Sequence, residues 1–337
     1  MKINGHDIAD KTFIIAEVGN NHEGDYSLAE RMVGLAAEAG VDSVKFQTIR
    51  ADRLVDGADP ARLKTLRSFE LSYDQFEKLA RVCEREGVQF LSTPFDLESA
   101  RHIAPLVGAF KIASGDVGFT PLLETVAGFG KPVIMSRGIS DAGEVRGAVE
   151  CIQGVWKDAG ILDPGLALLH CVAEYPTAPE RANLLAIRGL AAEFGLPIGY
   201  SDHTLGIEAA ALSVALGARI VEKHFTLDHN HSAFRDHQLS ADPDEMRELV
   251  RRVREAEKLL GHGSLEPEGE RFNNAEAFSR SLCVAEDTPE GTILTEAHVA
   301  FLRPGNGLSP SRINEVLGKV VRRSMKKGEQ IAIEQLN

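Results

Sequence analysis

Short β-rich runs alternate with amphipathic stretches of helical length eight times in the first 260 residues, and no other feature limits the fold as strongly. The runs are FIIAEVG (13 to 19), SVKFQT (43 to 48), QFLSTP (89 to 94), AFKIAS (109 to 114), PVIMSRG (132 to 138), LALLHCV (166 to 172), PIGYSDH (197 to 203) and RIVEKHF (219 to 225). A helical pattern follows each one. Leu28, Met32, Leu35, Ala36 and Ala39 form the apolar stripe of the first, and Met246, Leu249, Val250, Val253 and Leu260 that of the last, with charges opposite. Strands separated by helices pair in parallel through crossovers. Eight units in about 245 residues therefore predict a closed (β/α)8 barrel over residues 1–260, with a doubly wound sheet as the alternative. Residues 1–12 precede the first strand and are expected to form a small hairpin that plugs the barrel bottom. The segment GHGSLEPEGERFNNAEAFSR (261–280) has no clear period and reads as a linker. Residues 281–337 resume with short β-like runs broken by Pro and Gly, a second β-rich domain small enough to need docking.

Composition excludes several classes of function. Fifty acidic against 37 basic residues leave a net charge of −13, which disfavours nucleic acid and anionic membranes as partners. No apolar run approaches the roughly 18 to 20 residues of a membrane helix. The N-terminal MKINGHDIADKTFIIAEVG lacks a signal peptide's continuous apolar segment, so a cytoplasmic location is expected. Cys83, Cys151, Cys171 and Cys283 are far apart, without a CxxC pair, which fits reduced thiols and neither a disulfide framework nor a zinc knuckle.

A (β/α)8 barrel builds its chemistry at the C-terminal ends of its strands, and polar residues occupy that end of every run. In order they are Glu17 and Asn20, Lys45 and Gln47, Thr93, Lys111 and Ser114, Ser136, His170 with Tyr175 beyond it, Ser201 with His203, and Glu222 with His224. Lys45 and Lys111 fall inside otherwise apolar strands, where an unpaired ammonium costs several kcal/mol. They point to a bound phosphate or carboxylate, or to internal ion pairs with Glu17 or Glu222; the two are compatible. Ser114, Ser136 and Ser201 suit a phosphate cradle of hydroxyls, or else cap the helices that follow. His203 and His224 end adjacent strands and could converge on one divalent cation, manganese, magnesium or cobalt rather than structural zinc; ordinary hydrogen-bonded histidines are the alternative. His229, His231 and His237 read as loop residues lining the barrel mouth, with a second metal site as the lesser alternative, and Lys319, Arg322, Arg323, Lys326 and Lys327 as a solvated face.

Eight motifs occurring in order make this sequence resemble the sialic acid synthases, which condense phosphoenolpyruvate with N-acetylmannosamine or a related aldose. They are AEVGNNHEGD (16–25), VKFQT (44–48), FLSTPFD (90–96), KIASGD (111–116), GKPVIMS (130–136), YPT (175–177), YSDHTLG (200–206) and EKHFTLD (222–228). The tail, with RPGNGLSP (303–310) and KVVRRSMKKGEQI, resembles that family's antifreeze-like SAF domain. The resemblance implies a transferase in which His203 and His224 hold the metal. It places Lys45, Thr93, Lys111, Ser114, Ser136 and Ser201 on phosphoenolpyruvate, and Glu17, Gln47, Tyr175 and Asp236 before the sugar aldehyde, with Glu222 near the reacting centre. It also implies a domain-swapped homodimer in which Arg303 reaches the partner's sugar.

Departures from the family pattern concern the sugar. Ala173 stands where a polar residue is common, Arg137 where Thr is usual, and Asp116, still expected to bind substrate, where Glu is common. The loop AFRDH has one residue more than the usual GPDH. The acceptor is therefore left as N-acetylmannosamine, a diacetamido-hexose of legionaminate or pseudaminate type, or another aldose. A deoxy-heptulosonate or deoxy-octulosonate phosphate synthase would need a basic cluster for its acceptor's phosphate, and the SAF-like tail argues against it. A non-catalytic sugar-binding homologue would have lost the lysines and histidines, which are intact.

Overall fold

The computed structural model describes residues 1–265 and 270–337. It divides into two compact units, Met1–Gly261 and His262–Asn337.

The first unit opens on a hairpin pairing Lys2–Ile3 with His6–Asp7. Its two-residue turn, Asn4-Gly5, has positive φ at both positions (42° and 85°), the conformation whose twist matches a tight hairpin and which Asn and Gly tolerate best. Ile3 and Ile8 are fully buried, and Gln89 donates to the Ile3 carbonyl at the start of a barrel strand, so the hairpin lies at the strands' N-terminal end.

Eight parallel strands follow: β1 (Phe13–Gly19), β2 (Ser43–Thr48), β3 (Gln89–Pro94), β4 (Phe110–Ile112), β5 (Val133–Ser136), β6 (Leu166–Cys171), β7 (Ile198–Asp202) and β8 (Ile220–His224). Each lies within the run read from the sequence. β1 pairs with both β2 and β8, which joins the first strand to the last. The ladder runs in the order β3-β2-β1-β8-β7-β6-β5-β4, a barrel closed everywhere except for backbone pairing between β3 and β4. Capping residues start the crossover helices where strands give way: Asp25 before Tyr26–Ala39, and full capping boxes at Ser72 with Gln75, Asp141 with Glu144 and Asp242 with Glu245. The second crossover is the longest, adding helices Ala51–Leu54 and Pro60–Phe69 before Tyr73–Arg85.

Strand register decides which side chains enter the barrel. Residues level with each other on paired strands point the same way, so Glu17, Lys45 and His224 share one face, as do Cys171, Ser201 and Glu222. One layer lower stands Gly199. A Cβ there would lie 2.4 Å from the Ile220 carbonyl and 2.5 Å from Leu169 Cδ2, so only glycine fits the floor. Outward residues pack under the helices and include one full ion pair, Lys223 Nζ to Asp202 Oδ2 at 3.0 Å, with neither side chain reaching solvent.

In the second unit, β9 (Ser281–Val284) and β10 (Val299–Leu302) pair antiparallel over a small core that includes Leu282, Val284, Val316, Val321 and Ile331. The basic residues of its tail are exposed, and Lys326 pairs with Asp287 at 2.8 Å. Within the expected linker, Glu270–Phe278 is helical. Asn274 through Phe278 are all exposed, and residues that bury no side chain leave no apolar period to read. The remainder of that expected linker at 266–269 lies outside the described residues. Among the described residues, no helix is long and apolar enough to cross a membrane.

Candidate active site

Two lysines dominate the C-terminal mouth of the barrel. Lys45 Nζ lies 2.8 Å from Glu17 Oε2 and 3.5 Å from Glu222 Oε2, and donates to Thr93 Oγ1 at 3.1 Å. Lys111 Nζ donates to Ser136 Oγ at 2.7 Å and to the Ile112 carbonyl at 3.1 Å, with Glu222 Oε1 3.9 Å away. Ser201 Oγ donates to the same Glu222 oxygen at 2.8 Å. Gln47 Nε2 donates to Glu17 Oε1 at 3.0 Å and is itself oriented by Asn20 Nδ2 at 2.9 Å. The internal ion pairs exist, and they leave each ammonium at the surface of a common hollow.

Burial and neighbours push the two carboxyls apart. Burial raises Glu17 above the ordinary range, and its ammonium partner only partly opposes this. At Glu222 burial also favours the neutral form, but Lys111 and Lys45 together outweigh it and hold the group below its usual value. Lys45 is raised because its two carboxylates overcome the burial cost, whereas burial lowers Lys111. The centre thus contains one carboxyl inclined to hold a proton and one inclined to stay ionised.

Beside them, the His203 and His224 rings lie 5.3 Å apart, and Tyr175 packs 4.2 Å from His203. His203 Nδ1 is 2.7 Å from the Val172 carbonyl; a carbonyl only accepts, so Nδ1 bears the proton and Nε2 keeps its lone pair. His224 Nδ1 is buried without a hydrogen-bond partner. Burial lowers both imidazoles, His224 further because of His203, so both are neutral ligands near pH 7. An orphaned buried nitrogen, a fixed tautomer and a neighbouring ring fit a divalent cation. The groups of three or more metal-type donors found among the described residues do not include this pair, which would leave coordination positions to oxygen ligands.

Glu17, Lys45, Gln47, Thr93, Lys111, Ser114, Ser136, Tyr175, Ser201, His203, Glu222 and His224 all line this narrow hollow of about 70 Å³. It opens into a cleft of about 800 Å³, whose walls include Asp116 and Asp236 together with Arg62, Phe69, Phe234 and Arg235. Burial pushes Asp116 up to about 6 and also raises Asp236, which Arg235 pairs with at 3.3 Å. Arg235 also lies 4.6 Å over the Tyr175 ring. Arg303 belongs to the second unit, where its guanidinium lies 5.5 Å over Phe278.

Several readings at the strand ends are resolved by parity and contact. His170 points outward, stacks on Tyr200 at 5.6 Å and bonds the Ala182 carbonyl, so it is absent from the hollow. Ser136 and Ser201 bond Lys111 and Glu222; the helix after β5 is capped by Asp141, and the helix after β7 starts at Ile207 without a side-chain cap. Gly138 permits close approach of Ser114, whose Oγ would lie 2.8 Å from a Cβ there. Cys171, raised to about 11 by burial, also lines the hollow, and inward alternation along β6 is the sequence signal that points to it. Arg62 had no sequence signal, being one exposed arginine on a helix.

A floor bearing two ammonium groups beside two imidazoles, at the strand ends of a (β/α)8 barrel, is the arrangement of a small-molecule centre. The chain belongs to the NeuB family, which it matches over residues 32–265, and residues 279–337 match the SAF domain. It is 41% identical to an uncharacterised protein of Methanocaldococcus jannaschii, over 92% of this chain and 90% of that one. It is 36% identical to the N,N'-diacetyllegionaminic acid synthase of Legionella pneumophila, over 96% and 94% of the two chains. The crystal structure of N-acetylneuraminic acid (sialic acid) synthetase from Leptospira borgpetersenii in complex with citrate superposes with a TM-score of 0.74 at 37% identity, covering 79% of this chain and 90% of that one.

Proposed function

We propose that the chain is a nonulosonate synthase that condenses phosphoenolpyruvate with an N-acylated aldose to a nine-carbon 2-keto-3-deoxy acid and phosphate. N-acetylmannosamine and a 2,4-diacetamido-hexose are the acceptors to test first. The observation that carries this reading is the stepped cavity, a small floor bearing two ammonium groups beneath a cleft roomy enough for a sugar. Lys45, Lys111, Thr93, Ser114, Ser136 and Ser201 bind the phosphate and carboxylate of phosphoenolpyruvate. Gln47, Asp116, Tyr175 and Asp236 hold the acceptor in the cleft above.

Two ammonium groups balance two carboxylates, so a multiply charged anion binds best once Glu17 is protonated, the state burial favours. As carbon 3 of phosphoenolpyruvate bonds the aldehyde carbon, Glu17 delivers that proton to the nascent alkoxide oxygen. Glu222, kept ionised by the lysines, takes a proton from the water that adds at carbon 2, and phosphate leaves by C–O cleavage. His203 and His224 would hold a divalent ion such as manganese, magnesium or cobalt, which when bound supplies Lewis-acid polarisation of the aldehyde. Arg303 is proposed to serve the acceptor of a second chain in a homodimer, so Arg303→Ala should raise the acceptor KM more than the phosphoenolpyruvate KM.

The test is phosphate release from phosphoenolpyruvate with a panel of aldoses, after chelation and with each metal restored. Release should require both an N-acylated aldose and the metal, and bridging 18O should appear in the phosphate. No release with any acceptor would remove the reading.

A further inference from the structure

Outside the hollow, the loop after β8 meets the turn after β1 in a separate group of donors. His237 is fully buried; its Nε2 lies 3.0 Å from Glu23 Oε1 and its Nδ1 2.7 Å from Thr226 Oγ1. The exposed His231 ring lies 5.1 Å from His237, and ligand atoms of Glu23, His231 and His237 all fall within 4.8 Å of one another. Thr226 Oγ1 also lies 3.1 Å from the Asp228 carbonyl, so the hydroxyl holds the far side of the His237 ring. His237 then turns Nε2 toward a carboxylate oxygen. A divalent ion seated between these two atoms would take the place of the single ring proton they share.

We propose that Glu23, His231 and His237 form a second metal site, for a transition ion of the zinc class. Two imidazoles and one carboxylate select such ions over magnesium or calcium. Tetrahedral coordination with bonds near 2.1 Å needs ligand atoms about 3 to 3.5 Å apart. The Glu23–His237 pair already meets that spacing, and rotation of the exposed His231 side chain completes it. The Thr226 hydroxyl orients His237 from behind, as outer partners of metal-bound histidines do. A backbone bond from Glu23 N to the Asn20 carbonyl and a side-chain bond from Asn21 Nδ2 to the Phe225 carbonyl hold the turn in place. An ion here ties the loop carrying Arg235 and Asp236 to the turn carrying Asn20, and all three line the outer cleft. Occupancy therefore sets that wall. A nearby trio, His229, Asp242 and Glu245, is less suited because both carboxylates cap the helix Pro243–Leu260.

The experiment is a titration of the chelator-stripped full chain with Zn2+ against a chromophoric chelator. The variant H203A/H224A should still bind one equivalent. Adding His231→Ala, an exposed change, should weaken that binding more than 100-fold, and adding Thr226→Val should weaken it about 10- to 100-fold. Retention of the equivalent after His231→Ala, or its loss after His229→Ala in place of His231→Ala, would overturn the site. If wild type binds no more zinc than H203A/H224A, the inner ion of the proposed function is lost and this site stands.

Discussion

Replacing Lys45 by methionine keeps an apolar stem and removes the ammonium between Glu17 and Glu222, side chains only 2% and 6% exposed. Two buried carboxylates then face each other. Removing one partner of a buried pair costs about 3–5 kcal/mol if the remaining charge persists. Protonation sets a lower ceiling. From the usual value of 4.5, neutralising a carboxyl near pH 7 costs about 1.36 × (7 − 4.5), or about 3.4 kcal/mol, and Glu17 starts above that value. We expect a loss of about 2–3 kcal/mol near pH 7 and about 0.7 kcal/mol or less near pH 5, where the same product uses 0.5. The sign follows from linkage: the folded variant holds a proton on Glu17 that the unfolded chain releases, so its stability falls as pH rises above about 4.5. Adding Glu17→Gln removes the stranded charge and should restore most of the loss near pH 7, without restoring phosphoenolpyruvate binding. Urea unfolding followed by circular dichroism at both pH values measures this. A loss equal at the two pH values, or unchanged by Glu17→Gln, would refute the reasoning that Lys45 is held by these two carboxylates.

His203→Ala should abolish metal-stimulated phosphate release while circular dichroism stays native; full metal-dependent activity would dismiss the ligand assignment. Asp116, which burial pushes up to about 6 from 3.8, holds its proton longer folded than unfolded, so wild-type stability should decline as pH rises between those values. Asp116→Asn should remove that slope in thermal unfolding and leave the variant the more stable above about pH 6; an unaltered slope would clear Asp116 of the effect. Gly199→Ala should cost at least about 1–3 kcal/mol in denaturant unfolding by forcing a Cβ into Ile220 and Leu169, and a neutral outcome would mean the barrel floor yields.

Much of the barrel was legible because burial on both faces of a parallel strand leaves a compact apolar run, and crossover helices leave a 3.6-residue stripe. The helix at Glu270–Phe278 was not, since Asn274 through Phe278 are exposed and give no buried apolar stripe to read. At the site, lysines inside apolar strands gave themselves away because an ammonium there needs a partner. Lys223 sits in such a strand too, yet it points outward to Asp202 and serves packing. Only register separates it from Lys45.

Local sequence thus determined the succession of strands and helices, the polar strand ends and the Asn4-Gly5 turn, because each depends on neighbours within a few residues. Tertiary structure alone decided which of alternating side chains share the hollow, and that Lys45 stands between two carboxyls of unequal proton affinity. It also decided that Glu23 meets His237 across 214 residues of chain. Those facts arise from closure of the sheet, which brings β1 against β8 and converts separation in sequence into contact in space.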